Sequence, residues 1–347
     1  MRFFSICILV LCSEVAIAQS HKEKTISVSL PQINVYENKN TLNILKWGTD
    51  SVDADISQTV IIHEQKTFED VPAGNYSGIT HIKGDEYAVV SDKTDSEGYY
   101  IFKIKFGKDG DILDIKNKGW QDLGGINMDE EAIAYNPHNN HLYIGNEEGS
   151  TIQEITLNNK TILTKPIADY QKHGEHNRII ESLCYDPFRQ HLFTINEASL
   201  KGDPFTSLRL KELNDSLQEV AEYEYLMDEP LKKDSRPVNE HAYGVSELLS
   251  LGDGTLLVLE REFYVTKLKL GSWVNNKIYR IKPGFHGKQF ITSWKTSLSL
   301  GNFNLANYEG MCEGPKTKDG RHVIILCADS QNQYKGVLKD YFRTIVF

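Results

Sequence analysis

The sequence contains few cysteines, and their number does not suit a disulfide framework. Five occur in 347 residues, and Cys7 and Cys12 lie in an apolar stretch at the N-terminus. The remaining three, Cys184, Cys312 and Cys327, are an odd number, which excludes a fully paired intramolecular set. Each lies in an apolar run, so we interpret all three as buried free thiols that act as small hydrophobic residues. A Cys312–Cys327 disulfide between neighbouring strands stays open as the alternative.

Motifs of several large enzyme classes are also missing. Residues 244–248 (Gly-Val-Ser-Glu-Leu) lack the second glycine of a nucleophile elbow. There is no His-Glu-x-x-His metal motif, no phosphate-binding loop and no Rossmann fingerprint. No long stretch repeats its apolar residues every 3.6 positions, so an α-helical fold is not expected.

Positive charge is scarce relative to negative charge. The chain has 38 Lys and Arg against 48 Asp and Glu, which gives a net charge of -10. This balance argues against non-specific binding of nucleic acid or of an anionic membrane surface. It suits the binding of cations. We therefore expect a small-molecule anionic or ester substrate as the partner, no nucleic acid, and a monomeric protein.

The only long apolar run is at the N-terminus. One basic residue precedes the apolar residues 3–12, and Ala16-Ile17-Ala18 follows as a small-residue cleavage site. This order predicts a secretory signal peptide over residues 1–18, and the apolar run is too short to span a bilayer. We expect export to the periplasm or the cell exterior. Residues 19–347 are predicted to form a single domain without a transmembrane segment.

An internal repeat indicates the fold. Glu-Ala-Ile-Ala-Tyr-Asn-Pro at residues 131–137 is followed by a His-Leu-Tyr strand that ends in Asn-Glu at residues 141–147. About 50 residues later the same pattern returns at residues 181–187 and 191–197. Each unit has a short strand, a turn rich in Asn, Asp or Pro, and a second strand, which is typical of a β-hairpin.

Three weaker copies make five hairpins in all. They occupy residues 77–92, 246–261 and 309–329. A hairpin with two further strands every 50 to 60 residues is typical of a four-stranded propeller blade. We predict an all-β protein, a β-propeller of six four-stranded blades. The sixth blade is expected from residues 26–71 together with the C-terminal residues 341–347, so that the two ends of the chain close the ring.

The repeat carries carboxylates at fixed positions. Glu131, Glu181 and Glu309 begin the first strand of their units, and that strand lines the central channel of a propeller. The second strand returns to the same mouth, and Glu247 lies beside the place where Ser246 aligns with Ser77. Crowded carboxylates repel one another unless a cation is bound, and oxygen ligands favour Ca²⁺ ahead of Mg²⁺ or Mn²⁺. The predicted metal ligands are Glu131, Glu181, Glu247, Glu309, Asp92, Glu147, Glu197, Glu260 and Asp329.

Three cationic or imidazole side chains are predicted to complete a catalytic site. Arg178 lies three residues before Glu181, Arg261 directly follows Glu260, and His241 lies six residues before Glu247. Arginine can hold a phosphate or carboxylate group through two parallel hydrogen bonds. We therefore take Arg178, Arg261 and His241 as the candidate catalytic residues.

In these motifs the chain resembles a known family, described as "esterase-like activity of phytase". The resemblance covers about residues 76–347. It implies hydrolysis of phosphoesters by an exported bacterial protein. The chain departs from the family pattern at Ser77, where an acidic residue is expected, and we expect no attached phosphodiesterase domain. The residues that carry the resemblance are 181–183 with 186–187, 245–249 with 259–261, and 307–311 with Asp329.

Three functions agree with the sequence. The first is an exported metal-dependent hydrolase that acts on phosphoesters. The second is a Ca²⁺-dependent lactonase or carboxylesterase propeller, for which Asn146 and Asn196 could add amide oxygens to the ring. The third is a non-catalytic propeller that binds a ligand at the cell surface.

Overall fold

The computed structural model describes residues 60–175, 178–231, 240–331, 333 and 336–347, together with the short strand Leu45–Lys46. The predicted signal peptide and most of the segment assigned to a sixth blade lie outside these residues. Cys184, Cys312 and Cys327 are buried free thiols. In the described part of the chain, no helix has the length and the apolar character needed to cross a bilayer.

Antiparallel strands make up most of the described structure. In chain order they are β1 Leu45–Lys46, β2 Ile61–Ile62, β3 Tyr76–Lys83, β4 Glu86–Ser91, β5 Gly98–Phe106, β6 Ile112–Asp122, β7 Glu130–Asn136, β8 His141–Asn146, β9 Thr151–Thr156, β10 Thr161–Pro166, β11 Ile180–Asp186 and β12 His191–Asn196. The helix α1, Ala168–His173, lies between β10 and β11. The remaining strands are β13 Ser207–Leu213, β14 Glu219–Leu226, β15 Glu240–Ser250, β16 Leu256–Val265, β17 Ser272–Ile281, β18 Phe285–His286, β19 Gln289–Ser299, β20 Asn302–Phe303, β21 Asn307–Glu313, β22 Val323–Asp329 and β23 Phe342–Val346.

The strands form a propeller of five blades. Blade 1 is β3 to β6, blade 2 is β7 to β10, and blade 3 is β11 to β14. Blade 4 has five strands, β15, β16, β17, β19 and β20, and blade 5 contains β21, β22, β23 and β2. The innermost strands β3, β7, β11, β15 and β21 contact one another in turn around the ring. The predicted all-β propeller is confirmed, and the predicted number of six blades is wrong.

The two ends of the described chain meet within blade 5. Ile61 pairs with Val346 and Ile62 with Ile345, which makes β2 the outermost strand next to β23. The C-terminal region supplies only three strands to this blade, so β2 covers an edge that would otherwise be open. Closure of the ring by N- and C-terminal strands is therefore confirmed. These strands complete the fifth blade rather than form a sixth, which explains the wrong count.

The hydrophobic core lies between neighbouring blades. Many strands are buried on both faces, and their successive side chains pack alternately against the two neighbouring blades. Blade 1 illustrates this pattern. Ala88 and Val90 of β4 pack with Ile133 of β7 and Leu142 of β8 in one buried cluster. The blades are thereby held at fixed angles around the channel, and the positions of the side chains at its mouth are fixed with them.

Every innermost strand has a β-bulge at the same place. In blade 2 the pairing passes from Glu130 opposite Asn146 directly to Ala132 opposite Gly145, which leaves Glu131 without a partner. A bulge redirects its side chain and increases the local twist of the strand. We call the unpaired residues the bulge residues. They are Ser77, Glu131, Glu181, Ser246 and Glu309 in blades 1 to 5.

Candidate active site

The bulge residues Glu131, Glu181 and Glu309 line a cavity of about 260 Å³ at one mouth of the channel. The ends of the second strands, or the residues just after them, lie beside these three. Asp92 follows β4, Glu197 follows β12, and Asp329 ends β22. All six carboxylates line the cavity, and all six are among the predicted metal ligands. The repeat therefore brings together carboxylates from blades 1, 2, 3 and 5.

Blade 4 differs because it places a cation in this ring. Just before the bulge, Val245 pairs with Glu260, as Glu130 pairs with Asn146 in blade 2. The next residue on the second strand is Arg261 in blade 4 and Glu147 in blade 2. Arg261 therefore occupies the strand position that carries an acidic residue in the other four blades. One predicted catalytic residue thus lies among the carboxylates.

Arg261 is buried and bound to two of these carboxylates. Its Nη2 atom donates to Glu197 Oε1 at 2.9 Å, and its Nη1 atom donates to Asn307 Oδ1 at 2.9 Å and to Glu309 Oε1. Asn307 Nδ2 in turn donates to Glu309 Oε1 at 2.8 Å. Burial opposes the charge of Arg261, but Glu309, Glu197 and Glu181 raise the pKa of its guanidinium above the usual value. The guanidinium of Arg261 is therefore held in place on the side of the cavity that blades 3 and 5 form.

Arg178 and Lys93 are the other cations that line the cavity. Arg178 Nε donates to Glu197 Oε2 at 3.2 Å, and its Nη2 atom donates to the Tyr243 carbonyl oxygen at 2.7 Å. Lys93 Nζ lies 2.6 Å from Asp92 Oδ2. Seven lining carboxylates thus face three cationic side chains. The cavity lining therefore has an excess of negative charge, which a bound cation would reduce.

The side of the cavity formed by blades 1 and 2 has the composition of a cation site. Asp92, Asp129 and Glu131 can each offer one oxygen, and these three oxygens lie within 4.8 Å of one another. Asp92 is buried, and its Oδ1 atom has no hydrogen-bond partner among the described residues. A buried oxygen without a donor is costly, and a bound cation would remove that cost. The donor set consists of oxygen only, which fits a hard cation such as Ca²⁺.

The pKa values of the bulge carboxyls show the same deficit of positive charge. Burial raises the pKa of Glu131 well above its usual value, and Asp92 and Glu309 add to the effect. Burial also raises the pKa of Glu181, followed by repulsion from Glu131. Burial raises the pKa of Glu309, although Arg261 opposes this. A divalent cation in the cavity would favour the ionised forms of these groups.

Two of the predicted ligands lie elsewhere in the channel region. Glu147 does not line this cavity, because its Oε1 atom accepts from the backbone N–H of Ile179 at 3.0 Å and its Oε2 atom from that of Ile180 at 2.9 Å. Its pKa is raised to about 7 by burial. Glu247 follows the bulge residue of blade 4, is buried, and accepts from the backbone N–H of Leu248 at 2.9 Å. Neither carboxylate lines the cavity that contains Asp92.

Glu260 and His241 are also separate from the ring of carboxylates. Glu260 accepts from the Tyr225 hydroxyl at 2.6 Å and forms an ion pair with Lys288. His241 Nε2 lies 3.1 Å from Glu262 Oε1. Successive residues of a strand point to opposite faces, so the neighbours Glu260 and Arg261 cannot both face the cavity.

Sequence reasoning missed Asp129 and Asn307. Each lies two residues before a bulge glutamate, and Asp129 has a positive φ of 62°. Both line the cavity. Their equal distance from Glu131 and Glu309 is visible in the sequence, and aligning the repeat two residues further upstream would have found them.

The comparison with curated proteins gave no match. Several solved structures are similar to this chain at low sequence identity. An endo-arabinase from Bacteroides thetaiotaomicron is 12% identical, with a TM-score of 0.48 over 81% of this chain and 97% of that one. A member of the duf4221 family from Bacteroides vulgatus is 9% identical, with a TM-score of 0.42 over 83% and 96% of the two chains.

A family model matches most of the domain. It is described as phytase-like, with the esterase-like activity of phytase, and it matches residues 71–331. This range includes β3 to β22 and thus all five bulge residues. The resemblance noted in the sequence is confirmed, and the chain belongs to the phytase-like family.

Proposed function

We propose that the protein is a divalent-cation-dependent hydrolase that acts on phosphoesters. The observation that carries the proposal is the group formed by Asp92, Asp129 and Glu131. Three oxygens lie within 4.8 Å of one another, and a buried oxygen of Asp92 has no donor among the described residues. Ca²⁺ is the cation we expect, because it accepts several oxygen ligands in flexible geometry.

The cation would be held by the Asp92 side of the cavity. When bound there, it would polarise the phosphoryl oxygen and increase the acidity of a water molecule. Glu181 faces the same cavity and accepts no hydrogen bond from the described residues, so it is available to take a proton from that water. Burial and repulsion from Glu131 raise the pKa of Glu181 above its usual value, and a higher pKa makes the ionised carboxylate a stronger base.

The arginines would bind and orient the substrate. The side chain of Arg178 is 28% exposed, so its guanidinium can bind an anionic group while remaining anchored on Glu197. Arg261 is fully engaged with Glu197, Glu309 and Asn307 and would act by fixing these side chains. Because carboxylates outnumber cations seven to three in the lining, a polyphosphorylated substrate would be repelled. We therefore expect a small phosphoester of low charge.

A carboxylester or lactone is the second candidate substrate. Ala242 and Phe263 of blade 4 line the cavity and provide it with an apolar wall. A neutral ester would avoid repulsion by the acidic lining and could lie against this wall. The same cation would then polarise the ester carbonyl. The apolar wall is the observation that favours this alternative.

Paired measurements of stability and turnover test the proposal. We expect Ca²⁺ to raise the melting temperature and EDTA to reverse the rise, and we expect D92N to lose most of the response. E313Q is the matched control, because Glu313 bonds to His322 and does not line the cavity. Turnover is measured with p-nitrophenyl phosphate, bis-p-nitrophenyl phosphate and a panel of lactones. Hydrolysis that EDTA leaves unchanged would overturn the metal-dependent mechanism.

The same data separate the remaining alternatives. Faster turnover of lactones than of phosphoesters would identify the esterase function. A Ca²⁺-dependent melting temperature without turnover on any substrate would identify a binding propeller. We also propose export, based on residues 1–18. The N-terminal residue of the protein from cell envelope fractions is the test, and Gln19 is the expected result.

A further inference from the structure

The net negative charge of the chain conceals one strongly basic segment. Between Glu262 and Glu309 there is no Asp or Glu, while the same 46 residues contain six Lys and one Arg. This segment forms β17, β18, β19 and β20 and the turns between them. Blade 4 therefore carries a positive surface in a protein whose net charge is -10. The binding properties of this blade cannot be inferred from the net charge.

Blade 4 also extends beyond the other blades at the mouth of the cavity. In blades 1, 2 and 3 the second strand ends at the residue opposite the position before the bulge. In blade 4 that residue is Glu260, and β16 continues to Val265. Five more residues add about 16 Å at the usual rise along a strand. The outer end of this blade thus projects from the face on which the cavity opens.

Two turns at the projecting end expose apolar side chains. Leu268 is 89% exposed in the turn between β16 and β17, and Leu300 is 86% exposed in the turn between β19 and β20. Phe303 is 67% exposed beside Leu300. The two turns are neighbours, because the backbone N–H of Gly271 donates to the Leu298 carbonyl oxygen at 2.7 Å. We call the exposed residues Leu268, Leu300 and Phe303 the apolar tip.

The apolar tip is held in a defined conformation. Within the first turn, Thr266 Oγ1 donates to the Leu270 carbonyl oxygen at 2.8 Å, and the Ser272 backbone N–H donates to the Lys269 carbonyl oxygen at 3.0 Å. Gly271 has a positive φ of 88°, which suits the tight return of the chain. Little conformational entropy would be lost when the tip binds a surface.

Cations surround the apolar tip. Lys267 directly precedes Leu268 and is exposed, and Lys295 lies with its Nζ atom 4.1 Å from the centre of the Trp273 ring. Neither lysine has a carboxylate within ion-pair distance among the described residues. Lys277 and Lys288, further along the blade, are paired with Asp228. Lys267 therefore places an available positive charge next to Leu268, and Lys295 adds a second one on β19.

We propose that the outer end of blade 4 binds the surface of an anionic phospholipid bilayer. Leucine and phenylalanine at the extreme end of two turns can enter the boundary between headgroups and acyl chains, and neighbouring lysines can then contact the headgroups. A nucleic acid or an acidic polysaccharide would use the lysines but would gain nothing from leucines that point away from the blade. The pairing of apolar tip and cations therefore favours a lipid surface.

Binding in this orientation would turn the mouth of the cavity toward the membrane. Ala242 and Phe263, which form the apolar wall of the cavity, lie on the extended part of the same blade. A molecule that leaves the bilayer surface would reach this wall first. The membrane-binding surface is independent of the proposed hydrolase function, because none of the tip residues lines the cavity.

Vesicle binding tests the proposal on the full chain. Sedimentation is measured with phosphatidylcholine vesicles that contain one quarter phosphatidylglycerol and with pure phosphatidylcholine vesicles. We expect tighter binding to the anionic vesicles, a loss of at least about tenfold for L268S/L300S, and a loss of about fivefold or more for K267E. F188S and K318E are matched controls, because Phe188 and Lys318 are exposed on hairpin turns at the opposite mouth. Both controls are expected to bind normally.

A second measurement locates the contact. Brominated phosphatidylglycerol should quench the added fluorescence of L268W and leave that of F188W unchanged. Binding through another part of the chain would not produce this difference. Equal binding by L268S/L300S and the parent chain would overturn the proposal. So would a failure to bind anionic vesicles at low salt. If the tip substitutions instead abolish a concentration-dependent dimer, with no effect on vesicles, the surface binds protein and the lipid assignment is wrong.

Discussion

Replacing Arg261 by glutamine removes the one cation that blade 4 contributes to the cavity. In the parent chain this guanidinium bonds to Glu197, Glu309 and Asn307. Glutamine keeps a polar group of smaller size but has no charge. The substitution therefore leaves the buried Glu309 without its cation and Glu197 with Arg178 alone. R261Q measures how much the acidic cavity depends on that single side chain.

The expected loss of stability is large because the partners are buried. Glu197 is 3% exposed and Glu309 is 8% exposed. Removing one member of a buried ion pair usually costs about 3–5 kcal/mol in the free energy of unfolding. Arg261 also lowers the pKa of Glu309, which burial raises. Without it the pKa of Glu309 rises further, so the loss of stability should grow as the pH rises through the neutral range.

Urea denaturation in EDTA is the assay, with two companion variants. R261Q/E309Q removes the carboxyl left without a cation, and we expect it to recover about half of the loss. R178Q is the matched control, because Arg178 is partly exposed and has a single close ion pair at 3.2 Å. We expect it to cost about 1 kcal/mol or less. Added Ca²⁺ should stabilise R261Q more than the parent chain.

Two results would refute this reasoning. A cost below about 1 kcal/mol for R261Q would mean that the carboxylates do not depend on the guanidinium. A double variant R261Q/E309Q that is no more stable than R261Q would mean that the cost does not arise from an unpaired Glu309.

Three further predictions concern stability. Burial raises the pKa of Glu147 to about 7, so the folded protein holds a proton that the unfolded chain releases near pH 4.5. The free energy of unfolding should therefore fall by up to about 3 kcal/mol between pH 4.5 and 7, and E147Q should flatten this pH dependence in urea titrations. A Cβ atom at Gly244 would lie 2.4 Å from the Glu197 carbonyl oxygen, so G244A should lower the free energy of unfolding by about 2 kcal/mol or more. The control G84A adds a Cβ atom in open space at a positive φ and should lower it by about 1 kcal/mol in the same assay. Deleting residues 342–347 removes β23 and the partner of β2; this chain should lose its cooperative thermal transition in circular dichroism, and a parent-like transition would contradict the closure of the ring by blade 5.

The repeat in the sequence was sufficient to predict the fold, except for the number of blades. Hairpins at residues 131–147 and 181–197 became the inner strands of blades 2 and 3, and the weaker copies became those of blades 1, 4 and 5. The prediction of six blades is wrong because Ile61–Ile62, a strand of two residues, completes blade 5 and does not belong to a separate blade. Nothing in so short a segment indicates whether it starts a sheet or completes one.

The site was harder to predict because it depends on register. A bulge adds one residue to a strand without leaving a clear mark in the sequence. In blade 4 the choice between Glu260 and Arg261 depends on one position, and neighbouring residues face opposite sides of the sheet. The repeat pattern predicts Glu260 as a ligand, whereas in the structure Arg261 lines the cavity. The glutamates at the bulges were easier to find because their type repeats.

Closure of the ring by β2 and β23 has a consequence for the chain during its synthesis. Ile61 pairs with Val346, which lies far along the chain, so this pair cannot form until Val346 has been made. Earlier blades can form hairpins as they emerge, but the two sides of the ring cannot join until β23 has emerged. A chain interrupted before β23 would expose the edge of β22, which β23 normally covers. Formation of the ring therefore waits for the synthesis of β23, however fast the single blades fold.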